Sequence, residues 1–509
     1  MPVLYLDGTS LRLEDLWRTV TEPGWRIELA PEARARMERS RAWVERWLQE
    51  GERVYGVTTG FGELASVRIP PEEAAALQHW LVRSHSAGAG EWLPPEIVRA
   101  MLVLRAHVLA RGFSGVRPVV VEALLELFNR GLLPAIPRQG SVGASGDLVQ
   151  LAHLALALTG EGFFQTEHGI EPAPAVFQRH GLSPLRLEAK EGLALINGTQ
   201  MALAYGALSV YRARRYAVLA DVAAALTADV LRARLTAYDE RLHRLRPFPG
   251  QLQTAARLRT LRAGSSLSSL PPPHQLPQDA YSLRCIPQIH GASHDAIGYV
   301  WNTLETELNA VTDNPIIDPE TGDHLEGGNF HGQPLALALD FLALACAELA
   351  SVSERRIDRL LNPRSSGLPP FLARKPGLHS GLMIAQYTAA SLVAENKVLC
   401  HPASVDSIPT SAGQEDHNSM ASLAAQKAWQ VVENLQTVVS IELLCAAQAL
   451  EFLRPARSSP ALERVVACIR DHIPPLEEDR PLYADIQTVR RLLDSEALLQ
   501  AAFPEEMSA

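Results

Sequence analysis

Gly140-Ser141-Val142-Gly143-Ala144-Ser145-Gly146-Asp147-Leu148 is the stretch from which the rest of the chain is read. It follows a turn-rich approach, residues 134–139, and opens onto an apolar run from Val149 to Leu158. Asp147 is a good N-cap residue, the run is long enough for three turns of buried helix, and Gly160 stops it. Ala144-Ser145-Gly146 therefore sits just ahead of a helix N-terminus, where unpaired N–H groups and the positive end of the helix dipole collect. Three readings compete. A glycine-rich loop before a helix is ordinary architecture. A phosphate cradle is a second reading, but no lysine follows in P-loop spacing and Gly-x-x-Gly-x-x-Gly is not the dinucleotide fingerprint. The third is chemical. The Gly146 amide nitrogen attacks the Ala144 carbonyl carbon and water leaves; Ser145 then loses its hydroxyl as a second water. The product ring, 4-methylideneimidazole-5-one, carries an exocyclic methylene and is a strong electrophile. Glycine suits the attacking position because a bent, closely approached backbone tolerates no side chain there. Serine supplies the β-hydroxyl that is eliminated.

Composition narrows the class. A chain of 509 residues, 47% hydrophobic and 20% charged, is globular and buries a large core. A net charge of −10 with no long basic run argues against a nucleic-acid partner. The cysteines, Cys285, Cys346, Cys400, Cys445 and Cys468, are scattered and odd in number. The start carries Asp7 early and no apolar core segment, so a reducing, cytoplasmic setting is expected. The most apolar run, residues 334–352, contains Asp340 and Glu348; it reads as a buried bundle helix, and no membrane partner is expected.

Taken in order, residues 4–8 read as a short strand and turn, and 31–49 as a helix entered at Pro31 and ended by Gly51. Val54 to Gly62 is too rich in glycine for a helix. Residues 71–84 form a helix that delivers His85 at its C-terminal end. Helices follow at 95–110 and 119–129, then a small hairpin within 163–184. One helix is expected to about Arg214 and a second from Tyr216 to about Ala237. Residues 265–279, rich in Ser, Pro and Gln, form a long loop. Long apolar helices fill 301–361 and 380–452, and a final helix lies near 483–502. The class is mainly α, with a long-helix central bundle. Residues 1–200 form a smaller, mixed N-terminal part carrying the Ala-Ser-Gly loop and 201–509 the bundle, or the two run on as one continuous domain.

Several further motifs stand at intervals. They are Tyr55-Gly56-Val57-Thr58-Thr59-Gly60-Phe61-Gly62, Asn197-Gly198, Gln278 to Cys285, Gly327-Gly328-Asn329-Phe330-His331-Gly332, Gly381 to Ile384 and Gly413 to Met420. With these and Ala-Ser-Gly, the chain resembles the histidine/phenylalanine ammonia-lyase family, most of all its histidine-acting members. The resemblance runs from about Tyr55 to about Met420. It implies a fumarase/aspartase-like helical fold and a carbon–nitrogen lyase. The methylideneimidazolone would form autocatalytically from Ala144, Ser145 and Gly146 as the electron sink, with no pyridoxal phosphate.

The resemblance also assigns roles. Tyr55 is the base for the β-proton; with an ordinary phenol pKa of about 10, it needs positive potential, which helix N-termini and Arg284 would supply. Arg284 grips the α-carboxylate with two parallel hydrogen bonds, with Gln278 beside it. Tyr281 and Asn197 steady the ring oxygen of the electrophile and the amino end, and Phe330 packs against them. At the far end Glu415 holds an imidazole N–H, with Met383 beside it and His85 helping to orient the ring. A carboxylate aimed at a phenyl ring would be left without a donor, whereas imidazole satisfies it. Phenylalanine-acting relatives carry an amide at the Glu415 position; tyrosine-acting ones also carry histidine at the His85 position. Gly413 and Gln150 depart from the family's commoner Asn and Pro. The implied reaction is non-oxidative deamination of L-histidine to trans-urocanate and ammonia, the first step of histidine degradation. It would run in a homotetramer whose active sites are shared, so that Tyr55, Tyr281 and Ser145 do not all come from one chain. The alternatives are a lyase or 2,3-aminomutase acting on tyrosine or phenylalanine and, remotely, a catalytically dead helical scaffold. His290 and His294 stand four apart, but no Glu-rich zinc motif accompanies them, and no metal is expected.

Overall fold

The computed structural model describes residues 2–273 and 277–504, and it is mainly helical. Its longest elements are Gln200–Val230 and Ala421–Glu451, each of 31 residues, Gln333–Leu361 of 29, and Ile286–Leu308 of 23. A 31-residue helix is about 45 Å long. Gln200–Val230 is alanine-rich and buried on nearly every side, as a helix without a polar face must be. It also corrects an expectation, because the chain does not break between Arg214 and Tyr216. Arginine is a good helix former, and here Arg212 and Arg215 reach out from the helix surface to Glu433 at 2.9 Å and Glu496 at 2.8 Å. Gln333–Leu361 is long and apolar enough to cross a membrane by length and composition, and 67% of its most apolar window is buried.

The chain divides into two compact units. The first comprises Met1–Tyr211, Trp301–Asp340 and Pro402–Gln426. It holds every strand among the described residues. Val3–Leu6 pairs in parallel with Arg26–Leu29, and Phe163–Thr166 with Gly169–Pro172 makes the expected hairpin. Ala74–His85 follows a 3₁₀ turn at Pro71–Glu73, and Leu148–Leu158 is the helix behind the Ala-Ser-Gly loop.

The second unit comprises Arg212–Val300, Phe341–His401 and Lys427–Ala509. Its core contains charge. Glu442 accepts from Arg356 Nε at 2.6 Å and Nη2 at 2.9 Å, from Thr227 at 2.8 Å and from Ser353 at 2.6 Å. Both ions are fully buried, and each needs those partners to offset its desolvation. His290 and His294 bond the two oxygens of buried Asp221, at 2.7 and 2.9 Å. The long loop at 265–279 contains one 3₁₀ turn, Ser266–Ser269; residues 274–276 lie outside the described residues.

Candidate active site

Two segments of the first unit flank Ala144-Ser145-Gly146. Gly146 and Gly198 form a parallel bridge: Gly198 N donates to Ser145 O at 3.3 Å and Asp147 N to Gly198 O at 2.7 Å. On the other flank Ser419 Oγ donates to Gly143 O at 2.9 Å, and Met420 N to Val142 O at 2.8 Å. Gly143 and Gly146 have φ of +75° and +76°, in the region that favours glycine. The backbone is therefore bent at the point where Gly146 N must approach the Ala144 carbonyl carbon. Ser145 lines a cavity, so its hydroxyl has room to leave. The residues present fit the methylideneimidazolone.

Asp147 occupies the N-cap position of Leu148–Leu158, but its side chain does not cap that helix. It turns to another, accepting from Ala202 N at 2.9 Å in the first turn of Gln200–Val230, and from Ser422 Oγ at 2.6 Å. Burial pushes its carboxyl up to about 6.

The cavity has a volume of about 600 Å³, and Tyr55, His85, Ser145, Asn197 and Glu415 all line it, with Phe61, Leu64 and Trp80 among its apolar walls. Gly62 N donates to Tyr55 Oη at 3.1 Å. Burial raises the phenol, the Gly62 bond opposes this, and the charges of Glu415 and Glu326 raise it further. The positive potential expected around Tyr55 is thus not what surrounds it in this unit; the charged groups acting on it are carboxylates. His85 ends the Ala74–His85 helix with Nδ1 3.0 Å from Leu81 O. A carbonyl only accepts, so Nδ1 carries the proton and Nε2 is left as an acceptor. Burial lowers the His85 pKa, which keeps that neutral form.

Asn197 follows the short helix Glu191–Ile196. Its Nδ2 donates to Asn314 O at 3.0 Å and lies 3.4 Å from Asp313 Oδ1, leaving the amide oxygen as the group it can offer. Behind it, fully buried Lys190 pairs with Asp313 at 2.9 Å, and buried Arg105 donates to Asn197 O and, at 2.8 Å, to Gln200 Oε1. Neither cation was singled out from sequence for the site; a lysine or arginine among apolar neighbours gives no signal of its partner there.

The remaining expected residues are placed elsewhere. Phe330 is half-buried in the turn ahead of Gln333–Leu361 and does not line the cavity. Gln278, Tyr281, Arg284 and Met383 belong to the second unit and are not among the lining residues. Tyr281 is 69% exposed, with the Arg284 guanidinium 4.5 Å from its ring centroid. Gln278 is exposed, and Met383 opens the helix Met383–Leu399. Sequence reasoning also missed Thr410, whose Oγ1 donates to Glu415 Oε2 at 2.6 Å. A hydroxyl five residues ahead of Glu415, across Ser411-Ala412-Gly413, was the available clue.

Residues 11–471 match the profile of the family described as "Aromatic amino acid lyase". A histidine ammonia-lyase of Anaeromyxobacter dehalogenans is 52% identical over 98% of this chain and 100% of its own. That of Symbiobacterium thermophilum is 52% identical over 97% of each. Among solved structures, histidine ammonia-lyase from Trypanosoma cruzi superposes with a TM-score of 0.92 at 47% identity, covering 99% of this chain and 96% of that one. Tyrosine aminomutase from Streptomyces globisporus gives 0.93 at 37% identity, covering 99% of both.

Proposed function

The chain belongs to the aromatic amino acid lyase family, and from that premise we infer that it is a histidine ammonia-lyase. It is a carbon–nitrogen lyase that converts L-histidine to trans-urocanate and ammonia. The aminomutase fold matches as well as the lyase fold, so shape does not separate the readings; identity favours the lyase, at 47% against 37%. The observation that carries the substrate is Glu415, a carboxylate lining the same cavity as Ser145. A phenyl ring would offer no donor to the carboxylate oxygen that Thr410 leaves open, and an imidazole N–H supplies one. His85, with Nε2 as acceptor, offers that N–H a second acceptor. Met383 is assigned beside the ring by resemblance alone.

The group formed from Ala144, Ser145 and Gly146 supplies an electrophile that makes ammonia a better leaving group. Tyr55 takes the β-proton, and the Cα–N bond breaks. The amide oxygen of Asn197 accepts from the amino end. Arg284 holds the α-carboxylate with Gln278, and Tyr281 and Phe330 flank the reacting centre. Three of these, Gln278, Tyr281 and Arg284, lie in the second unit, and the assembly is a homotetramer with shared sites, in which Tyr281 and Arg284 of one copy serve Ser145 of another. Supporting this, the helix Met383–Leu399 leaves Ile384 55%, Tyr387 66% and Val398 75% exposed. Such a surface is expected at an interface. A cytoplasmic setting fits five cysteines of which none forms a disulfide. Incubation with L-histidine should produce the ultraviolet absorbance of urocanate; formation of a β-amino acid, or no reaction, would refute the assignment. Mixed Ser145→Ala and Tyr281→Phe chains should recover activity in hybrid tetramers. Because Tyr55 and Ser145 line one cavity in one chain, Tyr55→Phe mixed with Ser145→Ala chains is not the complementing pair.

A further inference from the structure

We propose that Thr410 is a positioning residue for ring recognition: its hydroxyl occupies one oxygen of Glu415 so that the other is presented to the substrate imidazole. The proposal rests on the reading of Glu415 as the ring acceptor. Thr410 Oγ1 donates to Glu415 Oε2 at 2.6 Å. The two residues also pair through the backbone, Thr410 N to Glu415 O at 3.0 Å and Glu415 N to Thr410 O at 3.3 Å. Between them Ser411, Ala412 and Gly413 have φ of +51°, +54° and +90°. Two of the three carry a side chain, and such a run of left-handed backbone persists only where its surroundings hold it.

What holds it converges on the hydroxyl. Asn418 is fully buried. Its N donates to Ser407 Oγ at 2.9 Å, and its Nδ2 donates to Ile408 O and lies 3.4 Å from Thr410 Oγ1. An amide N–H on the lone-pair side of the hydroxyl leaves its single proton for the carboxylate. A free glutamate side chain has three rotatable bonds, and ordering it on substrate binding has an entropic cost. Here that ordering precedes binding. The turn also abuts the tyrosine loop, since a Cβ on Gly62 would stand 3.0 Å from Ser411 Oγ. Glu415 is thus registered against Tyr55, on which its charge already acts. A merely structural role, tying a turn, would affect all ligands alike and would not depend on the Glu415 carboxylate.

The test uses Thr410→Val, Thr410→Ser, Glu415→Ala and the Thr410→Val/Glu415→Ala double variant in the full chain. Intact mass and thermal unfolding verify cofactor formation and folding. Inhibition by glycine, which has no ring, reports on the carboxylate and amine end. Thr410→Val should lower kcat/KM for L-histidine about ten-fold, mostly through KM, as for loss of a hydrogen bond to a charged group. Thr410→Ser should restore it to within about three-fold. Glycine inhibition should not change, and Thr410→Val should have no further effect in the Glu415→Ala background. The proposal is overturned if Thr410→Val matches the parent, weakens glycine equally, or lowers histidine turnover by the same factor without Glu415. A parent protein inactive on histidine overturns the functional reading together with this one; an active parent indifferent to Thr410→Val overturns this one alone.

Discussion

Gly146 lies so close to Gly198 that a β-carbon on Gly146 would stand 2.0 Å from the Gly198 carbonyl oxygen. That oxygen is committed to the Asp147 amide at 2.7 Å and cannot swing away. The absent side chain is therefore what allows the loop to bend.

Gly146→Ala should accordingly fail to form the ring. Its backbone is at φ +76°, which costs an L residue with a side chain roughly 1–2 kcal/mol before the clash is counted. Intact mass is the measurement: the parent should fall short of the sequence mass by two waters, and Gly146→Ala should not. Ser145→Ala should likewise retain full mass, keep its fold and lose nearly all activity.

The pH profile should follow Tyr55. Burial and the charges of Glu415 and Glu326 raise the phenol, so the basic form populates only as pH rises, and kcat/KM should climb toward alkaline pH. Tyr55→Phe should lower it by about 10²–10⁴ and flatten that limb. Glu326→Gln removes a charge that raises the phenol, so the limb should move to lower pH. A limb that moves to higher pH would contradict the assignment.

Asp147 makes a stability prediction. Burial raises its carboxyl from 3.8 to about 6 in the folded chain. Between these values the folded state binds more protons than the unfolded state. The stabilising contribution of the protonated group is thus full at the acid end and is lost as pH rises through 6. A two-unit shift corresponds to about 3 kcal/mol. The stability of the parent relative to Asp147→Asn should fall between pH 4 and pH 7, followed by thermal unfolding. A difference independent of pH would show that the carboxyl does not titrate in that window.

Glu442 and Arg356 should behave as a unit. Glu442→Ala leaves Arg356 buried beside Thr227 and Ser353 without its counter-charge, at a cost of about 3–5 kcal/mol. Replacing both ions by leucine and methionine should cost less than the single change. Urea unfolding of the parent, Glu442→Ala and the double variant decides it, and a double variant weaker than Glu442→Ala would refute the coupling.

Much of this was legible in the chain. Ala144-Ser145-Gly146 and the glycine loop of Tyr55 announce themselves because their chemistry requires those residue types in order. Helix positions followed from apolar periodicity, Pro31 and Gly51 marking one helix at both ends. Polar partners were less legible. Asp147 looks like the cap of its own helix, yet it serves Ala202, 55 residues away, because the pairing of its own amide with Gly198 O brings it beside the first turn of that helix, whose N–H groups lack intrahelical partners. Arg212 to Tyr216 suggested a break; partners far along the chain keep the helix whole. Thr410 was missed because a serine- and proline-rich approach reads as a plain loop, and its bond to Glu415 depends on three successive left-handed residues that local sequence does not announce.

The most direct test of the central claim is kcat/KM for L-histidine and for L-phenylalanine in the parent and in Glu415→Gln. The substitution keeps the shape and removes the charge. The account predicts that the parent forms urocanate and that histidine turnover falls strongly in Glu415→Gln, by the equivalent of about 2–5 kcal/mol for a charged partner lost in a desolvated site. Any activity on phenylalanine should hold or rise, because an amide beside a phenyl ring is less costly than a carboxylate. A fall by the same factor for both amino acids would show that Glu415 does not read the imidazole.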